Sequence, residues 1–400
     1  MLKIYNRFSG KKEKLKVSKD VKIFVCGPTL YDQIHVGNFR VILYTDILLR
    51  YFNFIGFNSL AILNLTDMDV KIIEKANSEG KSSKEVSEYY YNFLLEDFKK
   101  LNLFNLYKIV KTSQYISDSI NIINFLLERD LAYRIDKDIY CDLSKSKYLG
   151  KLSGLSFEEI RKRIYEPHPL KRNDFDFRLW INLQDEKHSL NTELGKGIVG
   201  WHLQDFSVIS KEFNGNYDIH VGAKELIYPH HEFIMSLGEY YYNKYPIAKY
   251  FLYTGLVKYK GEKMSKSFKN CIYINDLLNE YDVDSLKLYI LSKKYKKDFE
   301  FDFNSLKYFN KLKEYLKNIK INKTNLENKK VFNKLKEYIF NFIKYFEDDL
   351  NTSKCIETWI DFKRFIESEN LDDNSTELVK IGYKIFSKLT GILENRFSIE

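Results

Sequence analysis

Cysteine, proline and glycine are all scarce in this chain of 400 residues: four cysteines, five prolines and 17 glycines. The cysteines, Cys26, Cys141, Cys271 and Cys355, stand far apart. They make no Cys-x-x-Cys pair and no disulfide framework, which excludes a disulfide-stapled secreted scaffold and fits a reducing cytoplasm. No apolar run approaches ~18 residues, so no helical membrane span is expected. The first residues, "MLKIYNRFSGKKEKLK", lack the apolar core of a signal peptide. Internal repeats are also missing. What is abundant is Lys, Asn, Ile, Tyr and Phe, a drift toward residues with AT-rich codons. At 44% hydrophobic and 30% charged the chain reads as an ordinary globular protein of two or three domains. Lys+Arg 64 against Asp+Glu 55 gives a net charge of +9. That excess suits a polyanionic partner such as nucleic acid, although codon drift supplies part of the lysine.

The texture changes along the chain. "VKIFVCG" reads as a buried strand. "NFRVILYTDILLRYFNFIG" reads as a helix closed by Gly56, and "NSLAILNLTDMD" as the next strand. Together they make one right-handed βαβ unit. "SSKEVSEYYYNFLLEDFKKLNL" predicts a helix opened by a serine cap, with Glu85 and Glu88 early. A mixed stretch, including "EPHPLKRNDFDF", looks like an insertion. Strand signals return at "YDIHVG" and "KYFLYTGLV". After about Phe303 the apolar residues recur at three- and four-residue spacing, which predicts a helical bundle with lysine-rich outer faces.

Two short motifs carry chemistry. "CGPTLYDQIHVGNFR" (Cys26 to Arg40) follows the first strand. A strand, a Gly-Pro turn and a helix start form a phosphate site on a doubly wound sheet, because helix N-terminal amides favour an anion. His35 and Asn38 on the first helical turn can face one ligand, and Gly37 lets a flat group such as a purine approach the backbone. The bland reading is a capped helix with a satisfied histidine. "GEKMSKS" (Gly261 to Ser267) follows the last strand and puts two lysines on a loop. They suit charge that develops on a triphosphate as it breaks; the bland reading is a solvated basic loop. In this order, each motif supports the other.

"HVGN" and "KMSKS" resemble the two signatures of class I aminoacyl-tRNA synthetases. "MLKIYN", "LNLTDMDVKII", "KRNDFDFRLW", "GWHLQDFS", "YDIHVGAKELIYPHHE" and "DDLNTSKCIE" narrow the resemblance to cysteinyl-tRNA synthetases and their relative, the mycothiol cysteine ligase. The resemblance covers nearly the whole chain. It implies an α/β fold: a Rossmann-type doubly wound parallel sheet, an inserted connective region and a C-terminal α-helical bundle. The implied segments are 1–111 and 200–260 for the two halves of the catalytic core and 112–199 for the insertion. Residues 261–305 would form the KMSKS loop and stem-contact region, and 306–400 the bundle. It implies activation of an amino acid by ATP and Mg²⁺, then transfer to tRNA, by a cytoplasmic monomer. His35, Asn38, Lys263 and Lys266 match the catalytic signatures. Thr29, His35, Gly37, Asn38, His220, Gly222 and Lys266 match nucleotide-contacting positions, with "VGA" in place of a run of three glycines.

The resemblance breaks at the amino acid pocket. The family recognises the substrate thiolate with Zn²⁺ held by two cysteines, a histidine and a glutamate. Here Cys26 and His230 fill two of those positions, Asp205 replaces the second cysteine, and Ile234 replaces the glutamate. Glu225 stands where an aspartate binds the substrate amino group, while Thr66 and Trp201 are kept. Three readings follow: a zinc site of Cys26, Asp205 and His230; a metal-free pocket; or a paralogue with another amino acid or a small-amine acceptor. His231 and Glu232 adjoin His230, but adjacent helical side chains diverge, so neither is expected to help. A non-catalytic tRNA-binding paralogue is disfavoured by the intact His35, Asn38, Lys263 and Lys266. Cys26 also has a bland reading as a small buried apolar residue, and "PHHEF" as a capped helix start.

Overall fold

The computed structural model describes residues 1–103, 107–264, 270–394 and 397–399. Five parallel strands form the central sheet: β1 (Asp20–Thr29), β2 (Asn58–Thr66), β3 (Tyr107–Lys111), β4 (Tyr217–Ala223) and β5 (Ala248–Thr254). Their order across the sheet is β5-β4-β1-β2-β3. The winding therefore reverses between β1 and β4, which pair in parallel at Ile219–Ile23. In such sheets a crevice opens at that reversal, beyond the carboxyl ends of the strands. β4 is buried along nearly its whole length, as a parallel strand covered on both faces should be.

Helix Val36–Phe54 joins β1 to β2 and is buried almost all round. It stops one residue earlier than a Gly56 cap implies, at Ile55. Gly56 then takes φ +76° and lets the Phe57 amide donate back to the Phe52 carbonyl at 2.8 Å. Helix Ser83–Lys100 opens with the expected cap: Ser82 N–H donates to Glu85 Oε2 (2.8 Å), and Glu85 N–H donates to Ser82 Oγ (3.2 Å). Between β3 and β4 the chain builds a second, antiparallel sheet that includes Asp138–Cys141, Phe177–Asn182 and Gly195–Val199. The N-terminal hairpin, Lys3–Asn6 paired with Lys11–Lys14, has no period-two apolar pattern to announce it.

The C-terminal helices are Phe303–Lys317, Lys329–Glu347, Thr352–Ser368 and Asp373–Thr390. Their apolar spacing does what it predicts. Leu335, Ile339, Phe342 and Phe346 form one buried stripe, and Phe342 stacks on Phe386 at 4.1 Å.

Buried polar groups fasten helix Val36–Phe54 and helix Val283–Leu291 to the segments packed on them. Arg50 donates to Asp46 (2.7 Å) and Glu394 (2.9 Å), and Lys287 Nζ donates to the Gly391 carbonyl (3.0 Å). Tyr44 Oη donates to the Lys293 carbonyl at 2.8 Å. Arg40, fully buried, donates to the carbonyls of Gly255 (2.7 Å), Lys294 (2.8 Å) and Lys297 (2.8 Å). The helix that starts at the first motif is thereby fastened to the strand end that leads into the second. Among the described residues no helix is long and apolar enough to cross a membrane.

Candidate active site

β1 ends in a cleft of about 430 Å³, walled also by the start of helix Val36–Phe54, the end of β4 and the strand pair Val257–Tyr259 and Glu262–Lys263. Gly27 makes the turn possible. A Cβ there would stand 1.9 Å from the Asn64 carbonyl oxygen, and the Gly27 amide donates to Asn64 Oδ1 at 2.9 Å. This approach of two backbones coincides with a break in the β1–β2 register between Cys26 and Thr29, and it leaves Cys26 on the cleft wall.

At the nucleotide end, His35 is the N-cap of the helix. Gly37 N–H donates to His35 Nδ1 (3.0 Å), and His35 N–H donates to Asn38 Oδ1 (3.2 Å). The same two side chains cap the helix and line the cleft, so the bland and the chemical readings of this motif coincide. Across the cleft Lys263 Nζ donates to Glu225 at 3.0 Å. Both side chains are exposed, which makes this pair weak and easily exchanged.

The other end is buried and aromatic. Asp205 is buried and accepts from Asn64 Nδ2 (2.6 Å), and its Oδ2 lies 3.0 Å from His230 Nε2. His230 Nδ1 lies 2.8 Å from His202 Nδ1, and His202 Nε2 lies 2.9 Å from Tyr165 Oη. Trp201 stacks on His230 at 4.0 Å and donates to Tyr165. Burial, then the facing Asp205 carboxylate, pushes the Cys26 thiol well above its ordinary range. Burial and neighbouring imidazoles hold His202 and His231 well below theirs, and burial with His230 takes His220 down to about 3. Those three rings are therefore neutral near pH 7.

The family model for the class I (C) tRNA synthetase catalytic domain matches residues 12–311. The cysteine–tRNA ligase of Methanococcus maripaludis is 31% identical over 423 residues, covering 99% of this chain and 87% of the relative. That of Finegoldia magna is 34% identical, covering 96% and 85%. The chain belongs to the cysteinyl-tRNA synthetase family. The fold agrees: a Mycobacterium tuberculosis methionyl-tRNA synthetase superposes with a TM-score of 0.67 at 12% identity, covering 94% of this chain and 93% of that one. An Agrobacterium radiobacter leucyl-tRNA synthetase gives 0.65 at 9%, covering 93% and 83%.

In this synthetase-family chain the cleft gathers Cys26, Thr29, His35, Gly37, Asn38, Thr66, Trp201, Asp205, Glu225, His230 and Lys263 from the sequence expectations. Lys266 lies outside the described residues. Two expected nucleotide contacts are not brought to the cleft wall. His220 is fully buried in β4, with Nδ1 2.7 Å from Tyr217 Oη. A Cβ at Gly222 would stand 2.6 Å from His231 Cε1, so this glycine makes room for that ring. Sequence reasoning passed over Asn64, which two-residue alternation from Thr66 puts on the same face of β2. It also passed over Tyr165, for which the sequence offers no signal. Neither neighbour of His230 was expected to help. Glu232 indeed faces away, accepting from the Gly150 (3.0 Å) and Ser153 (2.7 Å) amides. His231 does not: ligand atoms of Cys26, His230 and His231 all lie within 4.8 Å of one another.

Proposed function

We propose that this chain activates cysteine with ATP to cysteinyl-adenylate and transfers the cysteinyl group to the 3′ end of a tRNA. The observation that carries the reading is a shared cleft: the helix start with His35 and Asn38, the strand pair with Lys263, and a sulfur-carboxylate-imidazole cluster all line it.

The amino acid carboxylate is already ionised, so attack on the α-phosphorus needs no general base. The helix start draws phosphate toward His35. Asn38 uses its carbonyl oxygen to hold the His35 amide and keeps its NH₂ to donate to phosphate oxygens. Lys263 and Lys266 would neutralise charge building on the departing pyrophosphate, and Mg²⁺ arriving with ATP would supply further charge neutralisation there. Glu225 binds the substrate ammonium. To do so it exchanges Lys263 for that ammonium, which releases the lysine toward the phosphates. Thr29 and Gly37 line the nucleotide end; Thr66 and Trp201 bound the amino acid.

Cys26, His230 and His231 bring ligand atoms within 4.8 Å of one another, Asp205 Oδ2 lies 3.0 Å from His230 Nε2, and among the described residues the buried His231 Nε2 has no hydrogen-bond partner. This set fits Zn²⁺. Bound there, zinc would supply a centre that prefers sulfur and discriminates cysteine from serine.

The test is ATP–pyrophosphate exchange across all twenty amino acids, followed by acceptor assays with tRNA and with small amines. Exchange dependent on cysteine and acylation of tRNA are expected. Cysteine-dependent exchange with transfer only to a small amine would move the chain to the ligase reading.

A further inference from the structure

Neighbouring side chains on a helix point about 100° apart, so His230 and His231 can share a ligand only where a third group approaches between them, and the Cys26 sulfur does so. Tyr228 is extended (φ −130°, ψ 134°), but His231 is helical (φ −74°, ψ −29°) and leads into helix Glu232–Tyr242. Both histidines are fully buried, and each brings a ring nitrogen within 4.8 Å of the other and of the Cys26 sulfur. A tetrahedral zinc with bonds of ~2.0–2.3 Å would set its ligand atoms roughly 3.3–3.8 Å apart. Moderate side-chain closure reaches that spacing.

His231 is also chemically prepared. Its Nδ1 lies 2.8 Å from Tyr253 Oη, while Nε2 is buried and has no partner among the described residues. With Nδ1–H donating to the tyrosine oxygen, Nε2 carries the lone pair, the tautomer a metal-ligating imidazole needs. Position 234 offers nothing in its place: Ile234 is fully buried in the apolar core. Glu232 is held by backbone amides on the far side.

We propose that His231 replaces the carboxylate missing at position 234, so that Cys26, Asp205, His230 and His231 form the metal-ligating set of this chain. The substrate thiol would join them as a further ligand, which zinc accommodates by expanding its coordination. The metal would also take the place of the proton now shared between His230 Nε2 and Asp205 Oδ2.

The proposal rests on the cysteine-activating reading only for the metal's task; its test is read without substrate. Purified protein is assayed for zinc by elemental analysis and for metal affinity by chelator competition. X-ray absorption of the zinc-loaded protein counts imidazole ligands. About one zinc per chain and two imidazoles are expected. His231→Asn keeps a group that can bond Tyr253 and removes the Nε2 donor; it should weaken zinc binding about tenfold or more. Adding Ile234→Glu to His231→Asn should restore affinity. No zinc in the wild-type protein, one imidazole in the absorption spectrum, or unchanged affinity in His231→Asn would each overturn the proposal. If His231→Asn does not fold, the imidazole count on wild-type protein decides. A protein that binds zinc through two imidazoles yet does not activate cysteine would overturn the function and leave the site standing.

Discussion

At the scale of single residues, the cleft separates groups that hold from groups that react. His35 and Asn38 do both, because their capping bonds use one atom of each side chain. Substitutions there mix loss of the helix start with loss of chemistry and are hard to interpret. The KMSKS lysines are cleaner probes. Lys266→Ala should lower cysteine-dependent pyrophosphate exchange by about two orders of magnitude or more while cysteine binding changes little, since its contacts form chiefly in the transition state. Exchange kinetics set beside equilibrium cysteine binding measure both quantities; near-normal exchange would remove Lys266 from the mechanism.

At the scale of elements, helix Val36–Phe54 carries buried charge at its core-facing positions. Arg40 spans three carbonyls from two segments, and burial lowers its guanidinium only to about 10, so it stays charged near neutrality. Lysine cannot reproduce that planar fork. Arg40→Lys should destabilise the fold by about 2–4 kcal/mol, because buried carbonyls lose their donors, and should slow exchange through a looser strand pair at Lys263. Urea unfolding and exchange rates test the two effects separately. Helix Ser83–Lys100 holds the opposite case. Asp97 is buried, its Oδ2 has no partner among the described residues, and burial raises its carboxyl to about 6 from 3.8. The folded state therefore binds a proton more tightly than the unfolded chain, and this residue's destabilisation is complete above pH 6 and fades as pH falls toward 4. Asp97→Asn should be more stable than wild type at pH 7, by about 1 kcal/mol after solvent screening. The difference should shrink at pH 4.5 in parallel urea titrations; a difference independent of pH would refute the assignment.

At the scale of the whole molecule, the catalytic sheet and the helical bundle meet through buried, bonded polar groups rather than through a linker. Lys287, lowered by burial to about 8, donates to carbonyls at Asn102 and Gly391, and Arg50 reaches Glu394. A bundle fixed in this way presents its outer faces in a constant orientation to anything bound in the cleft. With a net charge of +9, the chain should bind its tRNA with affinity that falls about tenfold or more between 50 and 200 mM salt. Filter binding across a salt series checks this, and a flat salt response would argue against a polyanionic acceptor.

The sequence by itself determined the parts whose signals are local. Apolar spacing marked the four bundle helices, Ser82 and Glu85 marked a helix start, and alternating strand and helix signals marked the doubly wound sheet. The resemblance named eleven of the residues that line the cleft, fewer than half of them. Tertiary structure alone decided what depends on approach across the chain. Gly27 had to be known to lie against the Asn64 carbonyl before the place of Cys26 could be explained. Burial in β4 took His220 off the cleft wall, although its motif suggested a nucleotide contact. The approach of Cys26 let both His230 and His231 reach one point, although adjacent side chains on a helix diverge. Sequence periodicity describes one element at a time, and the ligand cluster forms where another segment, carrying Cys26, approaches both histidines.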